Sequence, residues 1–173
     1  RSRKLSLSAE DLKERVSQHQ SANDEEDDFL QLVSKIYKSY LIRVEETGED
    51  DFDGLLQKAS RLVEEGKTSF ERKSGNGDFT ALKFIMIDEY QDFSALFFKL
   101  VSAIKRHAPN ANLFCVGDDW QAINGFAGSD LNYFSNFKSD HKPSRKLEIT
   151  TNYRSLKSIV KIGNRLMDGL GTP

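Results

Sequence analysis

The stretch Phe84–Phe93, FIMIDEYQDF, runs from four consecutive apolar residues directly into a cluster of carboxylates. A short, continuous apolar run is typical of a strand that is buried on both faces of a parallel sheet, and here it predicts a strand over Leu82–Ile87. Asp88 and Glu89 follow at once, and an unpaired charge in a protein core is prohibitively costly. The stretch therefore predicts a buried strand that leaves the core at Asp88 and presents two acidic side chains at its carboxyl end.

The pattern on the carboxyl side of this strand indicates an α/β fold. Apolar residues at helical spacing follow it, and the basic residues Lys105–His107, with Pro109 beyond them, favour a helix end there. Further apolar runs predict two more strands, Leu113–Val116 and Lys146–Thr150, and a helix over Ser158–Leu170. A succession of strand, helix, strand, loop, strand and helix is typical of a parallel sheet with crossover helices.

The residues before the first strand, about the first eighty, are predicted to be all-helical. Ser8, with Asp11 three places on, forms a capping-box-like start for a weak helix. The acidic run Asn23–Asp28 is expected to be the solvated start of a second helix, where the helix dipole favours acids. Apolar stripes predict an amphipathic helix from Asp28 to about Glu46 and another within the segment that starts at Asp50, with Gly66 just past its end. Turn residues predict a turn or mobile loop over Ser74–Asp78.

Composition narrows the classes of function. The formal net charge is −2, so no global positive field attracts nucleic acid, and any DNA contact must be local. No apolar run approaches the length of a membrane span, and the single Cys115 has no disulfide partner, which suits a reducing cytoplasm. We therefore expect a cytoplasmic protein. The chain begins at Arg1 rather than Met, and we expect it to be a piece of a longer protein.

Polar residues follow each of the three predicted strands, and ligands of open α/β sheets bind outside the carboxyl ends of the strands. The first strand leads to Asp88 and Glu89, the second to Gly117–Asp119 and Gln121, and the third to Asn152–Arg154. In an extended chain, Asp88 and Glu89 would point in opposite directions, one toward a metal ion and the other toward a water molecule. This arrangement suits Mg²⁺-dependent phosphoryl chemistry, although an Asp-Glu pair taken alone more often marks a helix N-terminus.

Four segments resemble, in a fixed order, motifs of the UvrD/Rep-type superfamily one DNA helicases, and most closely those of the helicase IV branch. Asp88–Asp92, DEYQD, resembles the DExxQD motif that is this family's Walker B equivalent. Val116–Ile123, VGDDWQAI, resembles its third motif, and Thr151–Ser155, TNYRS, its fourth. Asp51–Leu56, DFDGLL, resembles the DFxxL element that precedes the Walker B strand. The resemblance covers roughly residues 28 to 168, and it is specific because the motifs occur together and in order.

The resemblance implies an ATP-hydrolysing motor with a RecA-like P-loop NTPase fold, in which a parallel sheet is flanked by helices. Asp88 would hold Mg²⁺, and Glu89 would activate the water that attacks the γ-phosphate. Gln121 would sense the γ-phosphate, and Arg154 would reach it as an arginine finger, a role suited to its planar and permanently charged guanidinium. Without the motif, an ordinary surface ion pair would be the better interpretation of Arg154.

The remaining site residues are assigned through the same resemblance. Gln91, Asp118 and Tyr153 would contact the nucleotide, with Tyr153 stacked near the adenine. Phe126 and Asn124 fall where the family contacts single-stranded DNA, and an aromatic ring there can stack on a base of any sequence. Burial in the core is the alternative for Phe126, because most of the 12 phenylalanines must be buried.

The chain also departs from the family's pattern. No GxxxxGK[ST] loop occurs in the 173 residues, so the phosphates lack their backbone cradle and lysine, and the fifth and sixth motifs are missing too. We therefore expect residues 1–80 to be part of the family's inserted helical subdomain and residues 81–173 to be the C-terminal half of its first motor domain. Asn124 and Ala127 stand where relatives usually carry an aromatic residue and an arginine, and these changes affect the grip on DNA.

Together these features predict a fragment of an ATP-dependent DNA helicase that moves 3′ to 5′ along single-stranded DNA, acts on partly duplex DNA and serves DNA repair. We expect the fragment to be inactive by itself, because the remaining motor domains of the parent chain must complete the nucleotide site. The alternative is a catalytically silent helicase-like module that binds DNA or a protein. The intact set of Asp88, Glu89, Gln121 and Arg154 argues against that alternative. A Walker-type ATPase that does not act on nucleic acid is disfavoured by the pairing of DExxQD with GDxxQ.

Overall fold

The computed structural model describes residues 2–169, and the chain divides into two compact units, Arg1–Asn136 and Phe137–Pro173. Within the described residues, all four strands lie in the first unit, while helices occur in both. The fold is therefore mixed α/β, as the sequence predicts.

Side-chain caps set the start of α1 and α3. Helix α1, Ala9–Gln18, begins with the predicted capping box, which is thereby confirmed. The Ser8 Oγ accepts a hydrogen bond from the Asp11 N–H at 3.0 Å, and the Asp11 carboxylate accepts one from the Ser8 N–H at 2.8 Å. Helix α3, Phe52–Glu64, is capped in the simpler way by Asp51, whose carboxylate accepts from a backbone N–H of the first turn.

Helix α2 spans Asp24–Thr47 and starts earlier than the predicted Asp28. The Asn23 Oδ1 accepts a hydrogen bond from the Glu26 N–H at 2.8 Å, which fixes the helix start before the acidic residues. The acidic run is thus the first turn of α2, where the helix dipole stabilises it, as predicted. Gly48 ends the helix in the left-handed conformation at a φ of 66°.

A β-hairpin follows α3. Strands β1, Ser69–Arg72, and β2, Gly75–Asp78, pair antiparallel, so the prediction of an all-helical start with a loop at Ser74–Asp78 is wrong here. Phe70 lies opposite Gly77, and its ring occupies the space that a side chain at position 77 would need. The sequence pattern counts glycine as a turn signal, whereas this glycine makes room for an aromatic ring within a strand.

Two parallel strands and the helix between them position the candidate site residues at the strand ends. Strand β3, Phe84–Ile87, leads through α4, Ala95–His107, to β4, Asn112–Cys115, which pairs parallel with β3. The predicted succession of strand, helix and strand is confirmed for this part of the chain. A short helix, α5 (Asn132–Ser135), completes the elements of the first unit.

Only one face of the parallel pair is buried. Ile85, which lies opposite Leu113, points to the core, whereas Phe84 and Met86 are 60% and 77% exposed. Helices α3 and α4 cover the first face, and no described residue covers the second, so the predicted burial on both faces is wrong for this strand. The core on the covered side consists of Val63, Ala103 and Ile104, with Phe79, Leu82, Ile85 and Leu100 packed against them.

The second unit contains two helices, α6 (Phe137–Asp140) and α7 (Lys157–Leu166), and an extended segment between them. The predicted third strand, Lys146–Thr150, is wrong, because the segment forms no strand. Leu147 and Ile149 are 79% and 86% exposed. An apolar alternation indicates that a segment can form a strand, but a strand also needs a neighbouring ladder, and none of the described residues supplies one.

Helix α7 begins one residue before the predicted Ser158 and ends at Leu166, so the longer predicted helix is wrong in its last turn; Leu170 itself lies outside the described residues. Among residues 2–169, no helix combines the length and the apolar character needed to cross a membrane.

The carboxylate of Asp51 ties the N-terminal segment to α2 and α3. Arg3 donates two hydrogen bonds to it, from Nε to Oδ2 at 2.9 Å and from Nη2 to Oδ1 at 3.0 Å. The Tyr40 hydroxyl of α2 and the Gly54 N–H of α3 also donate to it, and the Gln57 side chain donates to the Arg3 carbonyl at 2.6 Å. The hydrogen bonds from Arg3, followed by those from Tyr40 and Gly54, lower the Asp51 pKa to about 2.

Replacing Arg3 by alanine is expected to raise the Asp51 pKa from about 2 toward its ordinary value of 3.8, because Arg3 is the largest cause of the shift. A lowered pKa means that Asp51 stabilises the fold fully above 3.8 and loses this contribution as the pH falls to about 2. The loss of stability in this range is therefore smaller in Arg3→Ala than in the wild type.

An NMR titration of the Asp51 carboxyl carbon measures the pKa, and urea unfolding between these pH values measures the linked stability. Lys13→Ala, on the exposed side of α1, is the control. An Asp51 pKa that remains at about 2 in Arg3→Ala would contradict the role given to the guanidinium.

Candidate functional site

Asp88 and Glu89 are exposed and lie at the carboxyl end of β3, where the sequence predicts them. Glu89 takes the left-handed conformation, with φ 52° and ψ 44°, so the predicted extended arrangement with opposed side chains is wrong. A residue other than glycine keeps this conformation only where its surroundings enforce it. The chain enters a 3₁₀ turn, Tyr90–Asp92, and the Tyr90 N–H donates to the Val116 carbonyl at 2.8 Å. The end of β3 is therefore a sharp and fixed corner.

The side chain of Gln91 joins the ends of β3 and β4. It is buried, at 2% exposure, and its Nε2 donates to the Glu89 Oε2 at 2.7 Å. Its Oε1 accepts a hydrogen bond from the Asp118 N–H at 3.0 Å. The Asp118 carboxylate in turn accepts from the Gln121 Nε2 at 2.7 Å. Four predicted site residues, Glu89, Gln91, Asp118 and Gln121, thus form one continuous chain of hydrogen bonds.

Gly117 permits this close approach of the two strand ends. A Cβ at this position would lie 2.7 Å from the Gln91 Oε1 and 2.9 Å from the Phe134 Cε2, closer than real Cβ atoms approach other atoms. Only glycine therefore fits beside the buried Gln91 without displacing it. No role is predicted for Gly117 from the sequence, although it lies within VGDDWQAI, the segment that resembles the family's third motif.

Aromatic side chains pack against the turn that follows β3. Tyr90 is 2% exposed, and its ring centroid lies 4.6 Å from that of Phe93 and 6.5 Å from that of Phe134 in α5. Tyr133, also in α5, meets Phe93 edge-on at 5.7 Å. Such pairs add to the hydrophobic burial that fixes the turn after β3. The site therefore rests on a packed aromatic base rather than on a mobile loop.

A second connection leads from the same turn to the Phe126 loop, which we define as Asn124–Gly128. The Asn124 Nδ2 donates to the Asp92 Oδ2 at 2.8 Å. Phe126 itself is 80% exposed, which excludes the alternative that its ring belongs to the core. No role is predicted for Asp92 from the sequence either, although it lies within DEYQD.

Tyr153 and Arg154 belong to the second unit. The Asn152 Oδ1 accepts hydrogen bonds from the N–H groups of Arg154 and Ser155, both at 2.9 Å, and so shapes the turn that presents them. Tyr153 is 90% exposed. Arg154 is exposed as well, and its guanidinium forms no ion pair with a carboxylate among residues 2–169. The alternative of a surface ion pair thus finds no partner in the described part of the chain.

Asp88 has a carboxylate oxygen that is available to bind Mg²⁺. Its Oδ1 accepts a hydrogen bond from the Glu89 N–H at 2.9 Å, whereas its Oδ2 accepts none from the described residues. No group of three or more His, Cys, Asp or Glu side chains among residues 2–169 is placed to hold a metal ion. Mg²⁺ commonly binds through one or two carboxylates together with substrate phosphates, so one carboxylate is sufficient for such a site.

Gly117→Ala is expected to destabilise the first unit by about 1–3 kcal/mol, because the added methyl group meets a buried amide and an aromatic ring. Gly125→Ala is the matched control, since a Cβ there meets nothing within 4 Å. Urea unfolding of both variants and the wild type measures the difference. Equal stabilities for Gly117→Ala and the wild type would show that Gln91 is not held in the tight contact described.

Comparisons with known proteins show the family of the chain. The sequence profile described as "UvrD/REP helicase N-terminal domain" matches residues 1–142. DNA helicase IV of Escherichia coli is 27% identical over 138 residues, which are 80% of this chain and 19% of the relative. The ATP-dependent DNA helicases PcrA of Staphylococcus epidermidis and Rep of Buchnera aphidicola are 29% and 30% identical, over 90% and 77% of this chain and 21% and 19% of the relatives. The chain thus spans about a fifth of the length of these relatives. It belongs to the UvrD/REP helicase N-terminal domain family.

Proposed function

We propose that this chain is part of an ATP-dependent DNA helicase motor and carries half of its nucleotide site. The observation that carries the proposal is the hydrogen-bonded chain from Glu89 through Gln91 and Asp118 to Gln121, which joins the ends of two parallel strands. Ligands of α/β sheets bind at such strand ends. The names of the relatives, ATP-dependent DNA helicases, support the same reaction.

Glu89 is proposed to accept the proton of the attacking water. Gln91 donates a hydrogen bond to the Glu89 Oε2. The Glu89 Oε1 forms no hydrogen bond with the described residues and is available to a water molecule. A general base must lie within hydrogen-bond reach of the proton that it takes, and fixing one oxygen orients the other. Asp88 would hold Mg²⁺ through its free Oδ2, and the ion supplies positive charge to the phosphate oxygens when bound.

Gln121 is proposed as the sensor of the γ-phosphate. One N–H of the Gln121 Nε2 donates a hydrogen bond to Asp118. The second N–H of the same amide can donate a hydrogen bond to a phosphate oxygen. The presence or absence of the phosphate would then act on Asp118 and, through Gln91, on Glu89. In the second unit, exposed Arg154 is proposed as the arginine finger and exposed Tyr153 as the residue that stacks near the adenine.

The remaining parts of the proposal follow from the family. Residues 1–80 would belong to the inserted helical subdomain and residues 81–173 to the back half of the first RecA-like motor domain. Because no GxxxxGK[ST] loop occurs in the chain, other segments of the parent would bind the phosphates, and these 173 residues would be inactive by themselves. Movement 3′ to 5′ on single-stranded DNA, in a cytoplasmic enzyme, completes the proposal.

Glu89→Gln in the full-length protein is expected to lower ATP turnover by about a hundredfold to ten-thousandfold, since it removes the general base and retains the shape of the side chain. Turnover is measured with and without single-stranded DNA, and the wild type is expected to be strongly stimulated by the DNA. Glu71→Gln, on an exposed strand of the hairpin, is the matched control.

Three results would contradict the proposal in different ways. Full turnover in Glu89→Gln would remove Glu89 from the reaction. Hydrolysis that ignores DNA would indicate an ATPase that does not act on nucleic acid. Binding of DNA without any hydrolysis by the wild type would indicate the catalytically silent binding module.

Phe126→Ala is expected to weaken the binding of single-stranded DNA by about 1–3 kcal/mol, or roughly fivefold to 150-fold in Kd, because one base loses its stacking partner. Fluorescence anisotropy with a labelled oligothymidylate measures the Kd. Phe29→Ala, at an exposed phenylalanine of α2, controls for the loss of an aromatic ring elsewhere. Equal losses in the two variants would argue against a specific role of Phe126.

A further inference from the structure

The Phe126 loop is fastened at both ends to the segment that follows Glu89. At its start, Asn124 donates to Asp92 at 2.8 Å. Just beyond its end, Ser129 forms an isolated antiparallel bridge with Ser94, and the N–H of residue 130 donates to the Phe93 carbonyl at 2.9 Å. The exposed aromatic ring thus stands on a loop whose two ends rest on one short stretch of backbone.

The contact at the start of the loop, between Asn124 and Asp92, is made by side chains, whereas those beyond its end are made by the backbone. Among residues 2–169, Asn124 alone donates a hydrogen bond to the Asp92 carboxylate. The other oxygen of that carboxylate, Oδ1, is buried and accepts no hydrogen bond from the described residues. Asp92 is partly buried, and its carboxylate has one donor among the described residues, so breaking this bond leaves the carboxylate without a hydrogen bond from them and is costly.

Backbone hydrogen bonds shape the rest of the loop. The Asn124 carbonyl accepts a hydrogen bond from the Ala127 N–H at 2.9 Å, and the Gly128 N–H donates to the Gly125 carbonyl at 3.1 Å. Both bonds close the short turn that carries Phe126. A side chain that donates into the protein in this way is not free to stack on a base, so Asn124 differs in kind from its neighbour Phe126.

We propose that the Asp92–Asn124 hydrogen bond holds the Phe126 loop ready for single-stranded DNA, which makes Asn124 a positioning residue. The inference rests on the proposed function, because it takes single-stranded DNA as the ligand of Phe126. A loop fixed beforehand gives up little freedom when it binds, whereas a loosened loop must be ordered by the DNA, and its affinity falls. The position of Asp92 at the end of the turn that begins at Glu89 links this readiness to the nucleotide site.

The test uses the full-length protein and a fluorescein-labelled oligothymidylate. Asn124→Leu removes the donor and approximately retains the volume, and it is expected to raise the Kd at least fivefold. The DNA concentration that gives half-maximal stimulation of ATP turnover is expected to rise at least fivefold as well, since the loosened loop must be ordered by the DNA. Asn110→Leu, in the exposed turn before β4, is the matched control.

Two further variants separate positioning from a general loss of structure. The exchange Asp92→Asn with Asn124→Asp places the amide and the carboxylate in each other's positions and is expected to return the Kd to within twofold of the wild type. In a Phe126→Ala background, Asn124→Leu is expected to change the Kd by less than twofold, because the ring that it positions is absent.

The outcomes distinguish this inference from the function on which it rests. A wild type that neither binds the oligothymidylate nor hydrolyses ATP would overturn both. A wild type that does both, beside an unchanged Kd in Asn124→Leu, would overturn the positioning role alone. An exchange variant that binds as weakly as Asn124→Leu would also overturn it, as would full additivity of Asn124→Leu with Phe126→Ala.

Discussion

The two hydrogen bonds of the Gln91 amide are the constraint on which the rest of the site depends. A buried amide that lacks a partner costs about 1–3 kcal/mol, so the Glu89 carboxylate and the Asp118 N–H are held to it from opposite sides. The ends of β3 and β4 cannot move apart without breaking one of these bonds. Gly117 allows the approach, and the aromatic base under the turn keeps it in place. The left-handed backbone of Glu89 persists because all these contacts act on one corner.

The site combines a rigid base with exposed reactive groups. The residues that hold it, Tyr90 and Gln91, are each 2% exposed, whereas Asp88, Glu89 and Gln121 are open to solvent. The turn that contains the two buried residues is also the one to which the Phe126 loop is tied. In the proposed function, a change at the nucleotide site would therefore have a short, packed route to the exposed ring.

The parts of the fold that local signals determine were predictable from the sequence. The capping box of Ser8 and Asp11 and the strand-helix-strand succession around α4 depend on neighbouring residues and periodicity. The hairpin pairs neighbouring residues but was missed because its glycines count as turn signals. The missing third strand depends on whether a neighbouring strand is there to pair with it, which periodicity does not report. In the site, parallel strands explain why Asp88 and Asp118 could be expected at one edge. The bridge made by Gln91 could not be predicted, because it depends on side-chain conformation and burial. The roles of Tyr153 and Arg154 remain predictions.

The uncovered face of the parallel pair affects how this polypeptide behaves in the test tube. Met86 lies opposite Phe114, and these two residues form an apolar surface together with Phe84. Met86 is 77% exposed, Phe114 56% and Phe84 60%. Within residues 2–169, the two strands also have no further neighbours, so their outer edges present unpaired backbone groups. Apolar surface beside an open strand edge is a template for another copy of the same strand. When the 173-residue chain is produced by itself, we therefore expect it to aggregate as its concentration rises. Properties of the monomer are best measured at low protein concentration.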